Sequence, residues 1–156
     1  MKDGERSYLA GLFDGEGCPS ISYSRYERKG RRRLYKNHKV FFVISNEDKR
    51  VLKEALFLVG KGRIYLPRGT KTYNFTISKP VDVIETIKLI RSYVRVKGPE
   101  LDNLQNAAEY ILKVRGPSKR HRWTKEESKE FSKFAKINEA LKGGKKRGPP
   151  RKHPMD

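Results

Sequence analysis

The chain has 156 residues, 35% of them apolar and 35% charged, and its 37 Lys and Arg against 18 Asp and Glu leave a formal net charge of +19. That length fits one domain with a compact core, and that charge favours a polyanion, DNA or RNA, over a membrane surface, for which no long basic amphipathic helix stands out. No apolar run is long enough to cross a bilayer, the charged start Met1–Arg6 leads into no signal-like segment, and the single Cys18 excludes an intrachain disulfide and a Cys-rich zinc site, which suits a cytoplasmic rather than a secreted protein.

The first predicted element is a helix over Glu5–Asp14, with Leu9, Leu12 and Phe13 at helical spacing. Gly17 ends it and Pro19 blocks its continuation. Two strands follow, Pro19–Arg28 and Leu34–Ser45, joined by the basic turn Lys29–Arg33. Ile21 and Tyr23 alternate with Ser20, Ser22 and Ser24, and Val40, Phe42 and Ile44 alternate with Lys39, Phe41 and Val43, so one set enters a core and the other lines an open face. Ser45 or Asn46 caps the next helix, whose apolar stripe is Val51, Leu52, Ala55 and Leu56 and which ends at Gly60 or Gly62. A second hairpin, Arg63–Leu66 and Thr72–Ser78, turns through Pro67-Arg68-Gly69. Ile64, Leu66, Tyr73, Phe75 and Ile77 are expected inside, and Arg63, Tyr65, Thr72, Asn74 and Thr76 on the other face.

Pro80 opens a helix carried by Val83, Ile84, Ile87 and Ile90 towards Tyr93. After Gly98-Pro99, Leu101, Leu104, Ala108 and Ile111 mark another. Lys113–Lys125 holds six basic and no acidic residues. Thr124 and Glu127 form a capping box for a last helix with Phe131, Phe134, Ala135 and Leu141. Gly143–Asp156 is a basic, flexible tail in this reading. The expected fold is α+β, in the order αββαββα with additional C-terminal helices, and no internal repeat is evident. Helices cover one face of a curved antiparallel sheet, and the other face is polar, basic and open to a major groove. The domain spans 1–142, with a core over about 5–114, a helical extension over about 115–142 and the tail at 143–156.

Two properties of Leu9–Gly17 point to chemistry. Ser7, Gly11 and Gly15 lie four residues apart and make a helical face nearly without side chains. Each glycine weakens a helix by about 1 kcal/mol relative to alanine, so close packing is needed in compensation, against this chain's own sheet or against another backbone. Asp14 and Glu16 stand at the helix C-terminus, where negative charge opposes the dipole. They are either solvated carboxylates or ligands of a divalent cation.

The segment Leu9-Ala10-Gly11-Leu12-Phe13-Asp14-Gly15-Glu16-Gly17 resembles the LAGLIDADG motif of homing endonucleases, and the element order from about Ser7 to Leu112 resembles the family's. Phe13, Gly15 and Glu16 depart from the motif, Glu16 lengthening the second acid by one methylene. The resemblance implies two motif helices packed at a dyad, through Ser7, Gly11, Leu12, Asp14 and Gly15. One motif in a single-domain chain then implies a homodimer and a palindromic or near-palindromic target. It also implies a metal ligand at Glu16, assisted by the Gly15 carbonyl, with Mg2+ as cofactor, Mn2+ as a substitute and Ca2+ supporting binding without efficient cleavage. Short 3′ overhangs and intron homing follow from the same resemblance. The location is then an archaeal cytoplasm or an organelle matrix, and the scarcity of Gln beside abundant Lys, Arg and Glu leans towards a thermophilic archaeon.

Three residues match the periphery of such an active site. Asn46 orients water or caps a helix, Arg50 stabilises phosphate charge or is helix surface, and Lys97 organises the transition state or is a loop lysine. Base-reading candidates from strand alternation are Ser20, Ser22, Ser24, Tyr26, Asn37, Lys39, Phe41, Arg63, Tyr65, Thr72, Asn74 and Thr76. Arg25, Arg28, Arg31, Arg32, Arg33 and Arg68 are expected to hold phosphate. An RNA-binding intron maturase and a non-cleaving DNA regulator are the alternatives. Retention of Glu16 argues against a pure binder. His38, His121 and His153 are scattered, which argues against a histidine-centred nuclease.

Overall fold

A computed structural model describes the backbone of residues 1–27, 34–116 and 121–143, and the side chains of these except at 24–27 and 34–36. The expected turn at 29–33 and the tail from 144 lie outside the described residues. The elements run α1 (Asp3–Glu16), β1 (Ser20–Glu27), β2 (Leu34–Asn46), α2 (Lys49–Val59), β3 (Arg63–Tyr65), β4 (Tyr73–Ile77), α3 (Pro80–Ile90), a 3-10 turn (Arg91–Tyr93), α4 (Gly98–Arg115) and α5 (Lys125–Leu141). The predicted order is therefore observed.

The four strands form one antiparallel sheet in the order β1-β2-β4-β3. The two hairpins are joined through β2 and β4, with Phe42 opposite Ile77 and Ile44 opposite Phe75. These four side chains are buried, as are Leu9, Ala10 and Phe13 of α1 and Leu52 of α2. Phe13 stacks on Phe42 at 4.8 Å between ring centroids. Each such side chain withdrawn from water contributes about 1.5–3 kcal/mol, which makes this layer the anchor of the motif helix.

The C-terminal helices close the same core. Phe131 of α5 is fully buried, Asn103 Nδ2 of α4 donates to the Phe134 carbonyl at 2.9 Å, and the capping box at Thr124 and Glu127 is present. His38 of β2 is 3% exposed, stacks on Trp123 at 3.8 Å and lies 3.2 Å from Ser128 Oγ. Its place in the core was hidden in the sequence because its partners are about 90 residues away.

Several expectations are corrected. The first helix is longer at both ends than Glu5–Asp14. Neither Ser45 nor Asn46 caps α2: Asp48 does, its carboxylate accepting from the Arg50 backbone N–H at 2.9 Å. Leu66 is 47% exposed rather than inside. β3 stops at Tyr65, one residue short of Leu66-Pro67, since Pro restricts the residue before it and has no N–H for the ladder. The turn that follows closes with Thr70 N–H on the Pro67 carbonyl at 3.2 Å, and Gly69 takes φ 77°, a conformation that favours glycine. Tyr73 is half-buried, and Thr76, expected on the open face, is 5% exposed. Thr76 sits opposite Val43 and Arg63, between two neighbouring strands of a four-stranded sheet, where a short side chain is easily covered.

Candidate functional site

The motif helix presents two unlike faces. Leu9, Ala10 and Phe13 are buried, while Gly4, Ser7, Tyr8, Gly11 and Gly15 are exposed. A Cβ built on Gly11 or Gly15 would meet no atom within 4 Å. The glycine face therefore does not pack on this chain's own sheet, one of the two readings the sequence left open. Tyr8, on this helix, is 46% exposed, and Val96, whose N–H reaches the helix end, is 72% exposed.

The end of α1 is held from several directions. Gly17 bridges to Ile44 of β2, and the Cys18 N–H donates to the Val43 carbonyl at 2.8 Å. The Gly17 N–H donates to the Phe13 carbonyl at 2.7 Å, and a Cβ on Gly17 would overlap the Phe13 ring. Glycine is required there for close approach. Lys97 Nζ donates to the Gly17 carbonyl at 2.6 Å.

Asp14 has a role the sequence did not reveal. Its carboxylate accepts backbone N–H groups from Arg95 at 2.8 Å, Val96 at 3.1 Å and Lys97 at 2.9 Å. These residues lead into α4, so the side chain fixes the start of one helix to the end of another. Burial pushes the Asp14 carboxyl up, but those three N–H groups and the Lys97 charge outweigh it and hold it below the usual carboxylate range. Replacing Asp14 with Ala removes three hydrogen bonds to a carboxylate from a loop that is exposed at Arg95 and Val96 and half-buried at Lys97. The expected loss of stability is about 1–2 kcal/mol, read as a lowered denaturant midpoint. A midpoint equal to that of the parent would remove Asp14 from this role.

Glu16 differs from Asp14. It is exposed, and its carboxylate has no hydrogen-bond or ion-pair partner among the described residues. No basic residue lies in the last turn of α1 to offset the dipole. A hard oxygen donor left unpaired in this position fits a divalent cation. Among the described residues of one chain, no group of three or more His, Cys, Asp or Glu side chains is placed to hold a metal ion. Glu16 and a carbonyl such as that of Gly15 make only part of a shell.

Asn46 lies two residues beyond Ile44, the bridge partner of Gly17, so β2 carries it to the motif end. Its Oδ1 accepts the Asp48 N–H at 2.8 Å. Arg50 stands in the first turn of α2 with its side chain 89% exposed and paired to Asp48 at 2.8 Å. That guanidinium holds Asp48 below the usual carboxylate range. Lys97 is thus bonded to the motif, Asn46 stands two residues along β2 from the bridge to it, and Arg50 points into solvent.

On the open face, Ser20 pairs with Phe41 and Ser22 with Lys39, while Ile21 and Val40 lie on the buried side. Asn37 Nδ2 donates to Ser22 Oγ at 3.4 Å. Arg63, Tyr65 and Arg68 are exposed, and Thr72 and Asn74 half-buried. Ser24, Arg25 and Tyr26 occupy β1 by register, but their side chains, and Arg28, Arg31, Arg32 and Arg33 altogether, lie outside the described residues. No helix among the described residues is long and apolar enough to cross a membrane.

No curated protein sequence matches the chain. Among solved structures, an archaeal intron-encoded homing endonuclease, I-Vdi141I, complexed with DNA, is similar at a TM-score of 0.72 and 19% identity, over 97% of this chain and 90% of that one. The homing endonuclease I-CvuI, in complex with its target in the presence of Ca, gives 0.71 and 17%, over 95% and 90%. The homing endonuclease I-TnaI gives 0.66 and 18%, over 92% and 95%. These likenesses are likenesses of fold. The family model described as LAGLIDADG endonuclease matches residues 9–99, from the first residue of the motif, Leu9, to the start of α4. With its motif at the end of α1 and its αββαββα order in place, the chain belongs to the LAGLIDADG endonuclease family, whose members are nucleases that hydrolyse DNA.

Proposed function

We propose that the chain is one half of an intron-encoded homing endonuclease that binds a long palindromic or near-palindromic duplex as a homodimer. In this reading it makes a metal-dependent double-strand break with short 3′ overhangs. The observation that carries the reading is the open glycine face of α1 ending in the unpaired acid Glu16. Two copies meeting through that face bring two such acids to one dyad, one for each DNA strand.

Glu16 and the Gly15 carbonyl would hold Mg2+, or Mn2+ in its place, and would supply its protein oxygens from this chain. When bound, the ion supplies Lewis acidity to the scissile phosphodiester and its leaving oxygen. Asn46 keeps its Nδ2 free of partners among the described residues while Oδ1 is fixed by Asp48, and it orients the attacking water. Lys97 places positive charge at the motif end through its bond to the Gly17 carbonyl and offsets charge that builds in the transition state. Arg50 draws a neighbouring phosphate. The polar face of the sheet enters the major groove.

A randomised duplex library incubated with the protein in Mg2+, and separately in Ca2+, tests this. Cut ends converging on one symmetric site in Mg2+, with the same site bound but intact in Ca2+, are expected. Binding without cutting in Mg2+ would sink the cleavage reading in favour of a DNA-binding regulator.

A further inference from the structure

The polar face of the sheet carries a hydrogen-bonded line across three strands. Ser45 Oγ of β2 donates to Asn74 Oδ1 of β4 at 2.7 Å. Asn74 Nδ2 in turn lies 3.5 Å from the Tyr65 hydroxyl of β3. Both partners sit opposite Asn74 in the ladder. The Arg63 guanidinium lies 5.4 Å from the Tyr65 ring centroid, so the ring is backed as well.

A primary amide has two acceptor lone pairs and two N–H donors. This line uses one of each and leaves one of each. Ser45 and Tyr65 both present hydroxyls, each able to donate or accept, so together they fix the plane of the amide from its two sides. An amide with one free acceptor and one free donor side by side complements the N6 amino group and N7 of adenine in the major groove. A loose Asn swings its amide plane about its last torsion, and one held from both sides presents that plane before DNA arrives.

We propose that Asn74 reads an adenine in each half-site and that Ser45 is the positioning residue that holds its amide in the reading orientation. The inference rests on the DNA-cleaving reading above and adds a base to it. Fixing the amide before binding removes an ordering cost from the correct complex, so loss of Ser45 relaxes base choice at one position rather than weakening binding everywhere.

The test is selection of bound duplexes from a randomised library in Ca2+, using the full chain and four variants. The parent is expected to prefer adenine at one symmetric pair of positions by on the order of ten-fold. Asn74→Ala flattens that pair alone. Asn74→Asp, which keeps the shape but offers only acceptors, moves the preference towards cytosine, whose N4 amino group donates. Ser45→Ala reduces the preference at the same pair, and Ser45→Thr, which keeps the hydroxyl, restores it. A purely structural role for Ser45 would change melting temperature and leave the base profile as it was. A parent consensus that neither Asn74 variant alters overturns the proposal and leaves the endonuclease reading intact. A parent that selects no consensus at all strikes the DNA-recognition reading itself.

Discussion

Glu16→Gln is expected to abolish double-strand cleavage, lowering its rate by on the order of 10³, while binding of the selected site in Ca2+ stays within a few-fold of the parent. The size of the effect follows from removing the only charged ligand that each chain contributes in the proposed site. The same variant carries a second, opposite signature. Glu16 has no intramolecular partner among the described residues, and its charge opposes the dipole of α1, at a cost of about 0.3–1 kcal/mol. Glutamine removes that cost, so the inactive protein is expected to melt at or slightly above the parent temperature. A gain in stability beside a loss of cutting distinguishes a functional acid from a folding one. Cleavage at the parental rate would mean that the metal ligand is another residue.

Gly11→Leu is expected to break the proposed dimer without harming the fold. A Cβ on Gly11 meets nothing within 4 Å in one chain, and replacing a helical glycine with a good helix former gains about 1 kcal/mol. The isolated chain therefore keeps or raises its stability. Two copies of α1 pressed together through Gly11 have no space for a leucine, and overpacking an interface of this kind costs about 1–3 kcal/mol or more for each of two symmetric contacts. Sedimentation is expected to show association of the two copies weakened by at least a hundred-fold, with cutting of both strands lost together. A Gly11→Leu chain that sediments as a dimer and still cuts would show that copies meet elsewhere.

Much of the fold was legible because the periodicities are strong where burial is one-sided. β2 alternates cleanly from Lys39 to Ile44, and the order αββαββα followed directly. The misplacements share a cause: local pattern was read where a neighbouring element decides. Leu66 looked like the next inward residue of a strand, but Pro67 ends the ladder first. Thr76 has the right parity for an open face and is covered by the strands on either side. Ser45 and Asn46 looked like helix caps, yet the chain stays in β2 through both and turns at Asp48.

The candidate site was legible as a motif and not as a bracket. Asp14 and Glu16 read alike in sequence, two acids at a helix end. Their environments separate them, since the backbone of residues 95–97 reaches Asp14 and leaves Glu16 alone. Contacts separated by about 80 residues leave no local trace, and the tie between Ser45, Asn74 and Tyr65 depends on how three strands pair, which alternation within each strand does not give.

β2 acts as a ruler. Its 13 residues from Leu34 to Asn46, at about 3.4 Å each, span roughly 40 Å, which is the length of about a dozen stacked base pairs. Because β2 ends two residues beyond its bridge to the motif end, that length would be measured outward from the dyad of the proposed dimer. Two copies back to back would cover about two helical turns of duplex, long enough for the address to occur by chance less than once in an ordinary microbial chromosome.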